Sequence, residues 1–141
     1  MPIHHLTSLN PALLPHLNQL LDHNWELEQG ERFLSNPDNA LFLAFEDDIP
    51  VGFLTAYRLQ RFDTRKAEVL LYEIGVDPDY QRRGIGTAMV AACKDWARAV
   101  GAHEIWVLTE HDNRAAKALY ASTGGIEEAP GTVMFVYDLQ E

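Results

Sequence analysis

The apolar positions of this chain alternate between a helical period and a strand period, and the switches divide it into elements. From Thr7 to Asp22, Leu9, Leu13, Leu14, Leu17, Leu20 and Leu21 recur at helical spacing. Pro11 suits the first turn of that helix, with Ser8 or Asn10 as its cap. Glu26 to Leu34 predicts a second helix, ended by Ser35-Asn36-Pro37-Asp38-Asn39. Ala40 to Phe45 predicts a strand, Glu46-Asp47-Asp48-Ile49-Pro50 a turn, and Val51 to Leu59 the returning strand of an antiparallel hairpin. A polar loop from Arg61 to Lys66 leads to a central strand, Ala67 to Val76. The next helix carries Ile85, Met89, Ala92, Trp96 and Val100 on one face and stops at Gly101. His103 to Thr109 predicts another strand, and Asp112 or Asn113 caps a short helix ending at Gly124-Gly125. Thr132 to Leu139 predicts the last strand. Hairpins come early and one strand–helix–strand crossover comes late, so the layout is a mixed sheet. With no repeat, linker or low-complexity stretch, a single domain over residues 1–141 is expected.

Between the central strand and its helix lies Gln81-Arg82-Arg83-Gly84-Ile85-Gly86, behind the turn Asp77-Pro78-Asp79-Tyr80. A strand, a polar glycine loop and a helix in that order present unpaired backbone N–H groups at the positive end of a helix dipole, where an anion is stabilised. Gly84 removes a side chain where a phosphate would approach, Gly86 keeps the first helical turn open, and Arg82 and Arg83 add cationic donors. A Walker A loop would need Gly-Lys-Ser/Thr, which the chain lacks. A dinucleotide fingerprint would need a small residue where Met89 stands, and an acid at the end of the following strand; Glu104 and Glu110 both fit that place poorly. An ordinary two-glycine turn is the bland alternative.

The pattern Gln/Arg-x-x-Gly-x-Gly/Ala is matched in full and resembles the signature of the GNAT superfamily of acyl-CoA N-acyltransferases. Asn113-x-x-Ala116-x-x-Leu119-Tyr120, followed by Gly124, is similar to that superfamily's second motif. The resemblance covers roughly Leu70 to Gly124. It implies an α+β GNAT fold with a central mixed, mostly antiparallel sheet flanked by helices, and acetyl-CoA as the acetyl donor. It further implies that Ile74, Gly75 and Val76 receive acetyl-CoA along a bulged strand, and that Gln81, Arg82, Arg83, Gly84, Ile85, Gly86 and Thr87 hold its pyrophosphate. Asn113 inherits a place beside the pantetheine arm or an orienting role, and Tyr120 a place near the coenzyme sulfur as general acid. Helical spacing agrees: Ala116, Leu119, Tyr120 and Thr123 share a side, so the ring can pack while its hydroxyl reaches a cleft. A core tyrosine with its hydroxyl on backbone is the alternative.

Glu73 is the one charge in the apolar run from Val69 to Val76, and such a charge needs a partner or an opening in the sheet. Gly75, two residues on, suggests a bulge that re-aims side chains. As a base, Glu73 would take the ammonium proton, and burial would raise its pKa to help; otherwise it anchors the substrate or pairs with Arg58 or Arg83. The narrower resemblance is to gentamicin-type aminoglycoside 3-N-acetyltransferases. It runs through Tyr72-Glu73-Ile74-Gly75-Val76, the glycine loop, Ala118-Leu119-Tyr120, Gly125-x-Glu127-Glu128 and Met134-Phe135-x-x-Asp138. Their central-strand aspartate is Glu73 here, and Tyr72, Glu127, Glu128 and Asp138 would line an acidic lobe for substrate ammonium groups. Solvated strand-end acids would look the same.

The formal net charge of −10 argues against nucleic acid and favours a cationic small-molecule amine, although solubility alone also explains it. No apolar run is long enough to span a membrane, so no membrane association is expected. Met1-Pro2-Ile3-His4-His5 lacks the basic and apolar regions of a signal peptide, and Cys93 is the only cysteine. A cytoplasmic location is therefore expected, with Cys93 in a packing role and acetyl transfer proceeding without a covalent enzyme intermediate. No metal site is expected. Homodimers are common among similar enzymes, though no oligomerisation signal stands out in the chain.

Overall fold

The computed structural model describes residues 2–21, 26–128 and 131–140. Five strands form one sheet in sequence order: β1 (Ile3–Leu6), β2 (Asn39–Glu46), β3 (Ile49–Leu59), β4 (Ala67–Val76) and β5 (Ala102–Val107). The first four are antiparallel neighbours, and β5 lies parallel to β4. The β2–β3 hairpin turns through Asp47 and Asp48, both at positive φ, the conformation that matches a tight turn to strand twist and that Asp tolerates.

Strand alternation divides the apolar residues between two layers. Phe42, Ala44, Leu54, Ala56, Val69 and Leu71 pack against α3 (Ile85–Ala99), whose Ile85, Met89, Cys93 and Trp96 complete the main core. Leu43 and Phe53 face the opposite layer, with Leu17 of α1 (Leu14–Leu21) between them and Leu13 and Leu20 at the rim. On the same side, α2 (Leu27–Ser35) sets Phe33 edge-on to Tyr57, with ring centroids 5.7 Å apart. Finally α4 (Arg114–Ser122) follows β5 and packs Leu119 onto the main core.

Three expectations are corrected. β1 was not foreseen, because His4 and His5 break its apolar pattern; they instead lie against Phe45 and Phe42, at 5.1 and 4.9 Å between ring centroids. The first helix starts later than Thr7: Asn10 Oδ1 accepts from Ala12 N at 3.0 Å, a 3₁₀ turn covers Pro11–Leu13, and the α-helix begins at Leu14. Its expected end at Asp22 lies outside the described residues. The expected strand from Thr132 to Leu139 is absent: residues 131–140 are exposed and form no element.

Cys93 sits in the main core, and burial pushes its thiol up to about 12. Because the folded thiol ionises later than the unfolded one at 9.0, the stability it contributes is complete below pH 9 and is lost as pH rises toward about 12. Labelling with a thiol reagent at pH 8 should therefore be negligible in the native protein and complete in denaturant. Prompt native labelling would contradict the placement.

Candidate active site

Pairing of β4 with β5 ends at Leu71↔Val107, while β4 runs on to Val76. The two parallel strands therefore part, leaving the β4 backbone beyond Leu71 without a neighbour on that edge. On its other edge β4 stays paired with β3, but with a register shift: Thr55 faces Glu73 and Ala56 faces Leu71, so Tyr72 is the extra, unpaired residue of a bulge. The bulge is centred on Tyr72, ahead of the Gly75 position where sequence suggested it. Its effect is to set Tyr72 and Glu73 toward the same layer as Tyr57. Tyr72 meets Tyr57 edge-on at 5.5 Å, and the Tyr57 phenol is pushed up by burial first and then by Tyr72 and Glu73.

Gly75 answers a separate need. A Cβ there would stand 2.5 Å from Phe53 Cε1, so only glycine lets the β4 backbone lie against that ring. Glu73 itself is exposed at the opening, which corrects the expected burial. The alternative ion pairs are not made either. Arg58 donates through Nε to the Val100 carbonyl at 2.9 Å and pairs with Asp38 at 3.7 Å, while Arg83 lies 5.0 Å over the Tyr80 ring. Opposite Glu73, the Thr55 hydroxyl oxygen is buried and has no hydrogen-bond partner among the described residues. Thr55 and Tyr57 were missed by sequence reasoning, because only the bulged register brings them to Tyr72 and Glu73, and Phe33 joins them through Tyr57 from α2.

The glycine loop begins where β4 ends. Asp77 N donates to the Val51 carbonyl at 2.8 Å, Asp77 Oδ1 accepts from Asp79 N at 2.9 Å, and Gln81 Nε2 donates to the Val76 carbonyl at 3.0 Å. These bonds fix the turn against the sheet. Arg82 and Gly84 both take positive φ, 65° and 80°, in the loop ahead of α3, and alternating left-handed residues of this kind are how backbone N–H groups form anion-binding concavities. A Cβ on Gly84 would meet nothing within 4 Å, so the space over the loop is open to a ligand. The dipole of the 15-residue α3 points its positive end there, and Arg82, Arg83 and Thr87 are exposed around it. Ile85 is buried in the core, so it can offer only its backbone. At Gly86 a Cβ would come 3.2 Å from Leu119 Cδ2, so its absence also lets α4 seat against the first turn of α3.

Asn113 caps α4, its Oδ1 accepting from Ala116 N at 3.0 Å. The cap closes the first turn of α4, and the Gly86–Leu119 contact with a Lys94 Nζ bond to the Thr123 carbonyl fixes α4 against α3. That carries Tyr120 to a groove of about 280 Å³ beside β5, shared with Leu71, Val90, Val107 and Thr123. Tyr120 is half-buried, burial pushes its phenol up, and no protein hydrogen bond is made by its hydroxyl among the described residues. A satisfied core tyrosine would look otherwise. Glu127 pairs with Lys117 at 3.1 Å; Glu128 and Asp138 are exposed, Asp138 on the unpaired 131–140 segment. Glu68, His103 and Glu104 cluster closely enough to hold a cation, but they lie at the opposite ends of β4 and β5, with Glu68 bonded to Arg61 at 2.7 Å.

Gly75→Ala should force the Phe53 ring to shift and lower stability by about 1–3 kcal/mol, read from the urea midpoint. An unchanged midpoint would mean that the ring yields freely. Gly84→Asp combines backbone strain with a negative charge over the loop and should weaken coenzyme A binding at least about tenfold by calorimetry, with the fold retained. Gly86→Asp should instead lower the melting temperature by displacing Leu119.

The family described as Acetyltransferase (GNAT) family matches residues 7–124. An uncharacterised N-acetyltransferase YhfO of Bacillus subtilis is 30% identical over 136 residues, covering 92% of this chain and 91% of that one. N-alpha-acetyltransferase RimI of Mycobacterium tuberculosis is 36% identical over 103 residues, 73% of this chain and 62% of that protein. Among solved structures, aminoglycoside acetyltransferase meta-AAC0020, from an uncultured soil metagenomic sample and in complex with sisomicin, superposes with a TM-score of 0.85 at 26% identity, covering 99% of this chain and 96% of that one. Aminoglycoside N-acetyltransferase AAC(6')-Iy with CoA has the same fold, with a TM-score of 0.79 at 24% identity over 97% of this chain and 99% of that one. A glycine loop open to an anion, strands that part beside it and these matches lead to one assignment: the chain belongs to the GNAT family and is an N-acetyltransferase that uses acetyl-CoA.

Proposed function

We propose that the chain acetylates an amine of a polycationic small molecule, an aminoglycoside first of all, by direct transfer. The observation that carries this reading is the parting of β4 and β5 beyond Leu71, with Glu73 exposed at the opening and the glycine loop at its end. Acetyl-CoA supplies the activated acetyl group. The N–H groups around Gly84 and the side chains of Arg82, Arg83 and Thr87 fit its pyrophosphate, and the free β4 edge from Ile74 to Val76 fits the extended arm by strand-like hydrogen bonds. Asn113 acts by holding α4, and so Tyr120, in place. Glu73 takes the proton of the attacking ammonium, directly or through water, as the nitrogen bonds to the acetyl carbon. Tyr120 gives its proton to the departing sulfur as the carbon–sulfur bond breaks, and the second proton shed by the nitrogen as the amide forms restores the phenol directly or through water. A phenol kept neutral by burial suits that task. Cys93, sealed in the core, is unavailable for a covalent intermediate.

Three observations support a polycation. The chain carries a net charge of −10. Glu73 stands beside Tyr72 and Tyr57, aromatic surfaces that attract ammonium groups. The meta-AAC0020 structure with sisomicin matches over nearly the whole of both chains. The gentamicin-type resemblance favours the 3-amino group of the substrate. A second reading, a protein or peptide amine, is favoured by the RimI relative.

A thiol-release assay over aminoglycosides, polyamines and peptide amines, with mass spectrometry and NMR of the products, tests both. Aminoglycosides should turn over fastest, and their advantage over singly charged amines should shrink at high salt. Activity confined to peptide amines would overturn the aminoglycoside reading, and an acetylated amine other than the 3-amino group would overturn the regiochemistry. Tyr120→Phe should lower kcat about 10²-fold with coenzyme affinity unchanged, the low end for general acid catalysis. Glu73→Gln should lower kcat by at least about tenfold and abolish the acid limb of the pH–rate profile; a rise in KM alone would make Glu73 an anchor.

A further inference from the structure

We infer that Thr55 positions the base: with the opening filled, its hydroxyl donates to the Glu73 carboxylate and turns it from solvent onto the sheet, a role that rests on Glu73 being the proton acceptor. Thr55 lies in β3, and its hydroxyl oxygen is buried without a hydrogen-bond partner among the described residues. A buried hydroxyl in that state lowers stability, and such groups are as a rule paired. Valine has the same branched shape and suits a strand equally well. A threonine here therefore calls for a partner that arrives later.

Register identifies that partner. Residues opposite each other in an antiparallel pair share a face, as do residues two apart along one strand. Thr55 has Leu41 of β2 on one side and Glu73 of β4 on the other, with Phe53 and Tyr57 two residues away on its own strand. Leu41 and Phe53 have no polar side-chain atom, and Tyr57 carries its hydroxyl at the far end of a rigid ring. Glu73 alone of the four brings acceptor atoms on a flexible arm. Directly opposed Cβ atoms stand about 4.5–5.5 Å apart, a gap that a hydroxyl and a glutamate side chain can close. The Glu73 charge already acts on the neighbouring Tyr57 phenol, so the arm lies along this face. The bulge is what makes the pair: without the extra residue, Thr55 would face Tyr72 and Glu73 would point to the α3 layer.

In the free protein Glu73 is exposed, and water satisfies its carboxylate. A ligand in the opening displaces that water, and a carboxylate deprived of it needs new donors. The ammonium of the amine is one, and the Thr55 hydroxyl is the other. With one oxygen held against the sheet, the second is left for the ammonium proton.

Thr55→Val and Thr55→Ser test this. In the free protein Thr55→Val should leave the urea midpoint unchanged or raise it, because the hydroxyl it removes has no partner there. With acetyl-CoA and the amine that turns over fastest in the thiol-release assay, it should lower kcat about tenfold and leave both KM values within about twofold, while Thr55→Ser keeps most of the activity. In a Glu73→Gln background Thr55→Val should cause no further loss, since a side chain that cannot take the proton gains nothing from being held. A lower midpoint in Thr55→Val overturns the inference, because the hydroxyl then has a partner in the free protein. So does an unchanged kcat, a loss confined to KM, or full additivity with Glu73→Gln. The acid limb of the pH–rate profile separates the two ways of failing. Where Glu73→Gln abolishes the limb and Thr55→Val is silent, only the positioning role falls; where the limb persists, Glu73 is not the base and Thr55 has none to position.

Discussion

The structure depends on two parallel strands that start together and do not stay together. β4 and β5 pair through Leu71↔Val107 and then part, because β4 is bulged at Tyr72 and β5 stops. Backbone donors and acceptors left without a strand partner are costly when buried, so an opening inside a sheet persists where solvent or an extended ligand can satisfy them. Glu73 and the glycine loop border that opening, and Tyr120 lines the neighbouring groove beside β5. Glu73 follows the bulge, the glycine loop closes the end of β4, and α4 carries Tyr120 along the β5 side.

The glycines here have separate physical reasons. Gly84 takes a left-handed backbone and leaves open space above the loop. Gly75 and Gly86 make room for protein instead, the ring of Phe53 in one case and Leu119 in the other. The second contact ties the two halves of the site together. It seats α4 on the first turn of α3, so the helix that follows the glycine loop also fixes the helix that bears Tyr120. Lys94 reinforces that seat at the end of α4, while Asn113 caps the helix start.

Charge and aromatic surface divide the opening into two sides. Around the loop, Arg82, Arg83 and the end of the α3 dipole are positive, whereas the Tyr57–Tyr72–Glu73 cluster is aromatic and acidic. A ligand with an anionic tail and a cationic acceptor meet from opposite directions under such a field. The acids near the C-terminal end do not gather into one lobe: Glu127 is engaged by Lys117, and Asp138 lies on the exposed segment.

Local patterns in the sequence were enough for β4, the glycine loop, α3 and α4, because each is written in a short period, a cap or a glycine at a turn. The same local reasoning identified Glu73 and Tyr120, one as a charge out of place in an apolar run and the other by its motif. It could not find β1, whose two histidines rest on aromatic rings supplied by β2, nor say that Gly86 lies against Leu119. Bulge register, the end of β4–β5 pairing and the exposure of Glu73 are relations between segments far apart in the chain. So is the state of residues 131–140, whose strand-like pattern is plain in the sequence but which pair with no strand among the described residues. Period and composition determine what a segment can become; which edge it meets, and which side chains then face the same space, is decided only when the strands pack.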